Sequence, residues 1–165
     1  MGILNIFKNR RRPGQDIVLE AAATLYPDKI LIHTIDRVKE GFGISSTNIT
    51  ILPTNIDPEA LGSVTRNHLN LTKHNMPIPK DYKQHYREFL KKAGFRSGKE
   101  HHSNALHLSI VQRQNQIVIS ATKNGGYTGK ESGFLDLDNA KFSISADTDD
   151  SNIGNMLRKG WSKCK

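Results

Sequence analysis

Residues 41–62 read GFGISSTNITILPTNIDPEALG, and residues 133–154 read GFLDLDNAKFSISADTDDSNIG. Each stretch begins with Gly-Phe. Later in each stretch, an aspartate precedes apolar residues at helical spacing, and a glycine directly follows the first of these apolar residues. The matching residues in the two stretches are all 92 positions apart, as Asp57 is from Asp149. This spacing predicts two related strand-strand-helix halves, in which the glycine allows a close approach of helix to sheet. Ordinary helix-capping chemistry is the alternative source of the same matches.

Alternating apolar residues mark the strands. They predict strands at 30–35 and 49–51, and a hairpin over 106–119. Two further short strands are expected at 134–137 and 142–144. Because alternation of this kind leaves one face polar, we expect mainly antiparallel sheet.

Capping residues mark the helices. Asp57, followed by Pro58, predicts the start of one helix. A second helix is predicted from apolar residues at helical spacing that end at Gly94. Asp149 or Asp150 caps a third helix. The sequence therefore predicts an α+β fold, in which an antiparallel sheet of short strands packs with about three helices.

Charge and length limit the class of protein. The 165 residues contain 24 Lys and Arg against 16 Asp and Glu, for a net charge of +8. We expect a basic flexible arm at residues 1–14 and a single domain at residues 15–165. The positive charge favours an acidic partner, nucleic acid or an anionic membrane surface.

The single cysteine and the apolar runs bear on location. Cys164 has no second cysteine to pair with, so one chain forms neither a disulfide framework nor a cysteine-based zinc site. No apolar run approaches the ~20 residues of a membrane span, and the opening MGILNIFKNRRRPG reverses the order of a signal peptide. We expect a cytoplasmic protein without membrane contact.

The seven histidines do not form a recognisable metal site. His101 and His102 are adjacent, which in a strand points their side chains apart, and we expect structural or surface roles for them. His68 lies on the apolar stripe of the first helix and is expected to be a hydrogen-bonded core residue. His107 alternates with leucines and is expected to face outward.

Carboxylates concentrate near the C-terminus, where capping and turns explain most of them; they are Asp136, Asp138, Asp147, Asp149 and Asp150. The chain has no nucleophile elbow, phosphate loop or zinc-protease motif. We expect no catalytic residue, no cofactor and no nuclease or hydrolase activity.

Two segments in order resemble a known family. Residues 37–44 (RVKEGFGI) follow an early strand, and Thr122–Gly126 (TKNGG) are followed by Gly133-Phe134 and a capped helix. In this arrangement the chain resembles the CdiI family of contact-dependent growth inhibition immunity proteins. The structural motif of the resemblance comprises Arg37, Gly41, Phe42, Gly43, Ile44, Gly133 and Phe134.

The resemblance implies a function. It implies an inhibitor, not an enzyme, that binds the C-terminal toxin domain of a cognate CdiA protein in the cytoplasm. Such toxins are often nucleases, and some members of the family accept a toxin β-hairpin into their sheet. Phe42 and Phe134 are expected to be structural, so that loss of either ring mainly destabilises the fold.

The glycine-rich loop after the hairpin is the candidate toxin-binding site. Lys123, Asn124, Tyr127 and Lys130 combine exposed backbone, a rigid aromatic ring and cations. Alternatively, the glycines serve only a tight turn between strands.

A nucleic-acid-binding module is the alternative function. It would use Arg10 to Arg12 with Lys91, Lys92 and Arg96 on phosphates. Few aromatic residues are interleaved with these cations, so few rings are available to stack on nucleic-acid bases. We therefore expect any nucleic-acid binding to be weak and non-specific.

Overall fold

Six strands form one antiparallel sheet in the order β3-β2-β1-β4-β5-β6. The computed structural model describes residues 16–165, so the predicted arm at residues 1–14 lies outside the described residues. The two short strands expected near residue 140 are one strand, whose register shifts opposite Ser120 and Thr122. The strands are β1 (Val18–Leu25), β2 (Ile30–Arg37), β3 (Gly43–Leu52), β4 (Leu106–Arg113), β5 (Gln116–Asn124) and β6 (Phe134–Ser145).

Within residues 16–165, four helices accompany the sheet: α1 (Pro58–Asn70), α2 (Tyr82–Ala93), α3 (Gly98–His102) and α4 (Asp150–Trp161). The predicted caps are present, since the Asp57 carboxylate accepts the Ala60 N–H at 2.9 Å and that of Asp149 accepts the Asn152 N–H at 2.7 Å. Gly94 ends α2 with φ of +80°. Among residues 16–165 no helix is long and apolar enough to cross a membrane.

An internal repeat is present in the topology, but each half has one strand more than the predicted strand-strand-helix unit. Each half runs strand, strand, strand, helix: β1-β2-β3-α1 and then β4-β5-β6-α4. Strands β1 and β4 pair antiparallel at the centre of the sheet, with Ala21 opposite Ile110 and Ala23 opposite Leu108. The halves are therefore related by an approximate two-fold axis between these strands, which makes β3 and β6 equivalent edges.

The repeated glycines bring two helices together, which corrects the predicted helix-to-sheet approach. A Cβ on Gly62 would overlap the backbone carbonyl of Asp150, and a Cβ on Gly154 would overlap that of Pro58. Each glycine lies against the first turn of the other helix. The α1 and α4 backbones thus cross in direct contact, as closely packed helices with small residues can.

Two apolar clusters lie on opposite faces of the sheet. The main core lies under α1 and α4 and includes Ile30, Ile32, Leu61, Leu69, Leu108, Ile110, Ile117, Ile119, Ile153, Leu157 and Trp161. The second lies under α2 at one end of the other face and includes Tyr26, Leu31, Phe89, Leu90, Ala93, Phe95 and Ala105. The short helix α3 packs beside this cluster, and within residues 16–165 the rest of that second face carries no helix.

His68 is the hydrogen-bonded core residue that its position on the α1 stripe predicts. The residue is buried, its Nδ1 lies 2.9 Å from the Thr34 hydroxyl and its Nε2 lies 2.8 Å from the Thr50 hydroxyl. Both ring nitrogens are therefore paired across three elements of the first half. Burial lowers the pKa of this histidine, which favours the neutral ring.

Candidate partner-binding site

The loop between β5 and β6 is anchored at its base by Asn124. The side-chain amide of Asn124 donates to the carbonyl oxygens of His102 at 2.7 Å and Ala105 at 3.1 Å. Its oxygen accepts the Gly126 N–H at 3.0 Å. All of these bonds are internal, so in this structure Asn124 positions the loop.

Backbone pairing closes the loop above that anchor. Gly125 donates to the Gly133 carbonyl at 2.9 Å, and Gly133 donates to that of Gly126 at 2.8 Å. Gly126 and Gly133 have positive φ angles of +78° and +97°, which favour glycine. The tight turn that the glycines predict is therefore real, and it holds residues 127–132 in a defined projection.

Tyr127 leaves the loop to lie against the start of α3. A Cβ on Gly98 would overlap the Tyr127 ring, and the ring centroid lies 5.9 Å from that of His102. The residue keeps 51% of its surface exposed. A rigid, half-exposed aromatic ring of this kind is a typical anchor for a protein partner.

The two loop lysines differ in their environments. The Lys123 ammonium lies 3.0 Å from the Glu131 carboxylate in an exposed ion pair. Lys130 lies exposed at the loop tip, and no ion pair involves it within residues 16–165. Of the four predicted residues, Tyr127 and Lys130 thus present free surface, whereas Lys123 and Asn124 are engaged within the loop.

Next to this loop, β6 forms an open edge of the sheet. It pairs with β5 on one side, and no described strand pairs with its other side. The equivalent edge, β3, is partly covered, because α2 packs beside it and the His85 ring donates to the Ser45 carbonyl at 2.8 Å. The β6 edge is therefore the more accessible row of unpaired backbone groups.

The motif at residues 37–44 forms the equivalent turn in the first half. Arg37 donates to both oxygens of Glu20 at 3.0 and 2.9 Å and also to the Gly41 carbonyl. Gly41 has φ of +95°, and a Cβ on Gly43 would strike the Ile35 side chain. Ile44 pairs with Asp36 in the β2-β3 ladder. These residues shape the hairpin.

The sequence matches the family model described as CDI immunity protein over residues 19–164, which is nearly the whole chain. This chain belongs to the CDI immunity protein family. The family resemblance read from residues 37–44 and 122–134 is therefore confirmed.

Solved structures share the fold of this immunity protein family member. One is a protein of unknown function from Neisseria meningitidis, 17% identical, with a TM-score of 0.76 over 94% of this chain and 100% of the other. Another is a CdiA-CT/CdiI toxin and immunity complex from Yersinia pseudotuberculosis, also 17% identical, with a TM-score of 0.72 over 92% and 100%. No curated protein matches the sequence.

Beside the loop, the immunity protein contains a histidine cluster that the sequence did not predict. His101 and His102 lie on the short helix α3 rather than on a strand, with ring centroids 4.9 Å apart. His107 does not face solvent as expected, because the Phe134 ring stacks on it at 4.2 Å. Phe134 also stacks on His102 at 4.7 Å and is thereby sandwiched between two imidazoles.

Burial keeps the histidines of this cluster neutral. Burial, reinforced by neighbouring histidines, lowers the pKa of His101 to about 4 and that of His107 to about 3. His33, on the other side of Phe89, has its pKa lowered for the same reason. Two ring nitrogens, His33 Nδ1 and His101 Nε2, are buried without a hydrogen-bond partner among the described residues.

The two motif phenylalanines differ in burial, which corrects the expectation that both are structural. Phe42 is 42% exposed, whereas Phe134 is half-buried between histidine rings. We expect Phe134→Ala to lower the free energy of unfolding by about 3 kcal/mol and its counterpart Phe42→Ala by less than about 1 kcal/mol. Urea denaturation of both variants measures the difference. Equal losses of unfolding free energy in the two variants would show that packing of Phe134 between the two imidazole rings does not stabilise the fold.

Proposed function

We propose that this protein binds the C-terminal toxin domain of a cognate CdiA protein and neutralises it by occupying its surface, without catalysis of its own. Family membership over residues 19–164 supports the role, as does the fold shared with a chain of a CdiA-CT/CdiI toxin and immunity complex. We further propose that the toxin is a nuclease and that the two proteins meet in the cytoplasm.

The observation that carries the mode of binding is the open β6 edge beside an anchored loop. A β-hairpin of the toxin adds to β6, so that its backbone groups satisfy the free N–H and C=O row. The loop fixed by Asn124 then presents Tyr127 and Lys130 to the toxin flanking the added strand. Because both elements are already ordered, little conformational entropy is lost on binding.

Strand addition also accommodates the basic charge of the immunity protein. An inhibitor that mimics nucleic acid in a nuclease active site needs acidic groups, whereas this chain carries +8. Backbone pairing needs no acidic face and places the contact away from the catalytic centre. Such an interface depends little on salt, in contrast to one built from lysines and phosphates.

The loop residues test the location of the interface. We expect Tyr127→Ala and Lys130→Glu each to weaken binding of the cognate toxin domain at least about fivefold, equivalent to about 1 kcal/mol. Because Tyr127 is half-exposed and Lys130 is exposed, the melting temperature of each variant should change little. Isothermal titration calorimetry at two salt concentrations measures the affinities, and growth of toxin-expressing cells measures protection.

Matched controls are available on the same chain. Tyr82 is 54% exposed on α2 and Lys73 is exposed after α1, where its carbonyl accepts the Arg37 N–H, so Tyr82→Ala and Lys73→Glu repeat the chemistry away from the loop. Both controls should bind the toxin like the unmodified protein. Full protection by the Tyr127/Lys130 double variant at equimolar toxin would place the interface on another face.

A further inference from the structure

Helix α2 carries a stripe of cations along one exposed flank. Lys83, Arg87 and Lys91 follow one another at four-residue spacing, about 6 Å apart along the axis, and Lys92 lies beside them. All four are exposed. Lys80 and Arg96, also exposed, continue the charge beyond both ends of the helix. We define Lys83, Arg87 and Lys91 as the α2 stripe.

The charges of this stripe are not neutralised within residues 16–165. None of the three forms an ion pair there, whereas Arg37, Arg66 and Lys123 each pair with a carboxylate. Glu88, the acidic residue on the same helix, accepts a hydrogen bond from Gln84 at 3.1 Å. Three like charges on one helix face repel one another, so a partner anion would relieve a real electrostatic cost.

The helix that carries the stripe is held rigidly. Phe89, Leu90 and Ala93 bury the neighbouring face in the second apolar cluster. Asp81 caps its N-terminus through the Gln84 N–H at 3.0 Å, and His85 bonds to β3. The three cations therefore project from one fixed row that is inclined to the helix axis.

From this geometry we infer that the α2 stripe binds the phosphate backbone of duplex nucleic acid, independently of the toxin-binding role. An evenly spaced line of a single charge sign complements a linear polyanion. Lysine predominates, and its ammonium is a point charge that contacts phosphates without reading sequence. The contact is thus electrostatic and independent of base sequence.

Two other anionic partners fit the surface less well. A membrane-binding helix inserts its apolar face, but that face of α2 is buried against the sheet. Single-stranded nucleic acid is held by stacking on aromatic rings. Tyr86 and Phe89 are turned inward, which leaves Tyr82, at the first turn, as the exposed aromatic residue of this helix.

Fluorescence anisotropy with a labelled 20-base-pair DNA duplex tests the inference. The triple variant Lys83→Glu, Arg87→Glu, Lys91→Glu should bind at least about tenfold more weakly in low salt. Because three phosphate contacts are lost, the slope of log K against log salt should flatten by about 2.7. The control Lys39→Glu, Lys73→Glu, Lys163→Glu makes the same change in net charge at exposed lysines elsewhere and should retain most of the affinity.

Each outcome of this experiment decides the inference. Circular dichroism and the melting temperature establish that both triple variants fold, and a Lys83→Ala, Arg87→Ala, Lys91→Ala variant should show the same loss of duplex binding without charge reversal. Equal losses in the stripe variant and the control would overturn the inference, as would tighter binding of single strands or anionic vesicles than of duplex. Loss of toxin binding with unchanged duplex binding would assign the stripe to an acidic protein surface. The toxin titration is separate, so failure here leaves the proposed function standing.

Discussion

Replacing Gly62 by alanine is expected to lower the free energy of unfolding by about 3 kcal/mol, even though alanine is the better helix former by about 1 kcal/mol. The added Cβ would overlap the carbonyl of Asp150 in the first turn of α4. That carbonyl belongs to backbone, so no side-chain rotation relieves the overlap. The two helices must separate, and the main core beneath them loses contacts.

The same chain supplies a matched comparison. Gly160 also lies in a buried helix, but its added Cβ would meet side-chain methyl groups, those of Leu108 at 3.0 and 3.1 Å and that of Ile119 at 3.5 Å. We expect Gly160→Ala to cost less than about 1 kcal/mol, and Gly154→Ala to behave like Gly62→Ala because it contacts the Pro58 backbone. Urea denaturation monitored by Trp161 fluorescence measures all three. Similar free energies of unfolding for Gly62→Ala and Gly160→Ala would show that the crossing of α1 and α4 accommodates an added methyl group at little cost.

Helix ends and the internal repeat were predictable from the sequence because local chemistry determines them. Asp57, Asp149 and Gly94 cap helices through their own backbone or side chain, whatever the rest of the fold does. The partner of the repeated glycines was not predictable. Glycine indicates a close approach, but only the tertiary structure shows that the approaching backbone belongs to a helix.

The central strand β1 shows why alternation alone is insufficient. Its sequence, VLEAAATL, is rich in alanine, which has low strand propensity and no polar alternation. It is a strand because β2 and β4 pair with its backbone on both sides, while the main core buries Ala21 and Ala23. Pairing with the neighbouring strands overrides the low strand propensity of this segment, so the alternation pattern alone does not predict β1.

The candidate site was predictable in part. The loop glycines predicted the turn that projects Tyr127. The anchoring of the loop by Asn124 was not predicted, because it depends on α3, a helix that was not predicted from the sequence. A local pattern for α3 is present, since Ser97 caps the Glu100 N–H and the Glu100 carboxylate accepts the Arg96 N–H. Applied to residues 97–100, the capping-box rule places His101 and His102 on a helix and predicts part of the histidine cluster.

Acidification from pH 7 to pH 5 is expected to destabilise the protein by several kcal/mol through this cluster. In the folded state the pKa of His101 is about 4 and that of His107 about 3, while an unfolded histidine titrates near 6.5. The folded state therefore binds fewer protons than the unfolded state between these values. Stability is full above about pH 6.5 and falls as the pH drops toward the folded pKa, by about 1.4 kcal/mol per pH unit for each histidine.

The physical cause is that the His101 ring lies among other rings and forms no ion pair with a carboxylate within residues 16–165. His101 is surrounded by the rings of Phe89, Phe95 and Phe134 and by His102, and its Nδ1 lies 3.0 Å from the Tyr86 hydroxyl. Burial raises the pKa of Tyr86 to about 12, so that hydroxyl stays neutral. Without a carboxylate beside it, a protonated His101 would be an unpaired buried charge. Protonation must therefore loosen α2 and α3 from the sheet.

Urea denaturation at half-unit steps between pH 7 and pH 5 measures this dependence, in a range above the titration of ordinary carboxyl groups. His101→Phe, which suits the aromatic surroundings, should reduce the slope of stability against pH by about one proton. A His101→Phe slope identical to that of the unmodified protein would mean that the cluster admits water and charge, and that acid sensitivity arises elsewhere.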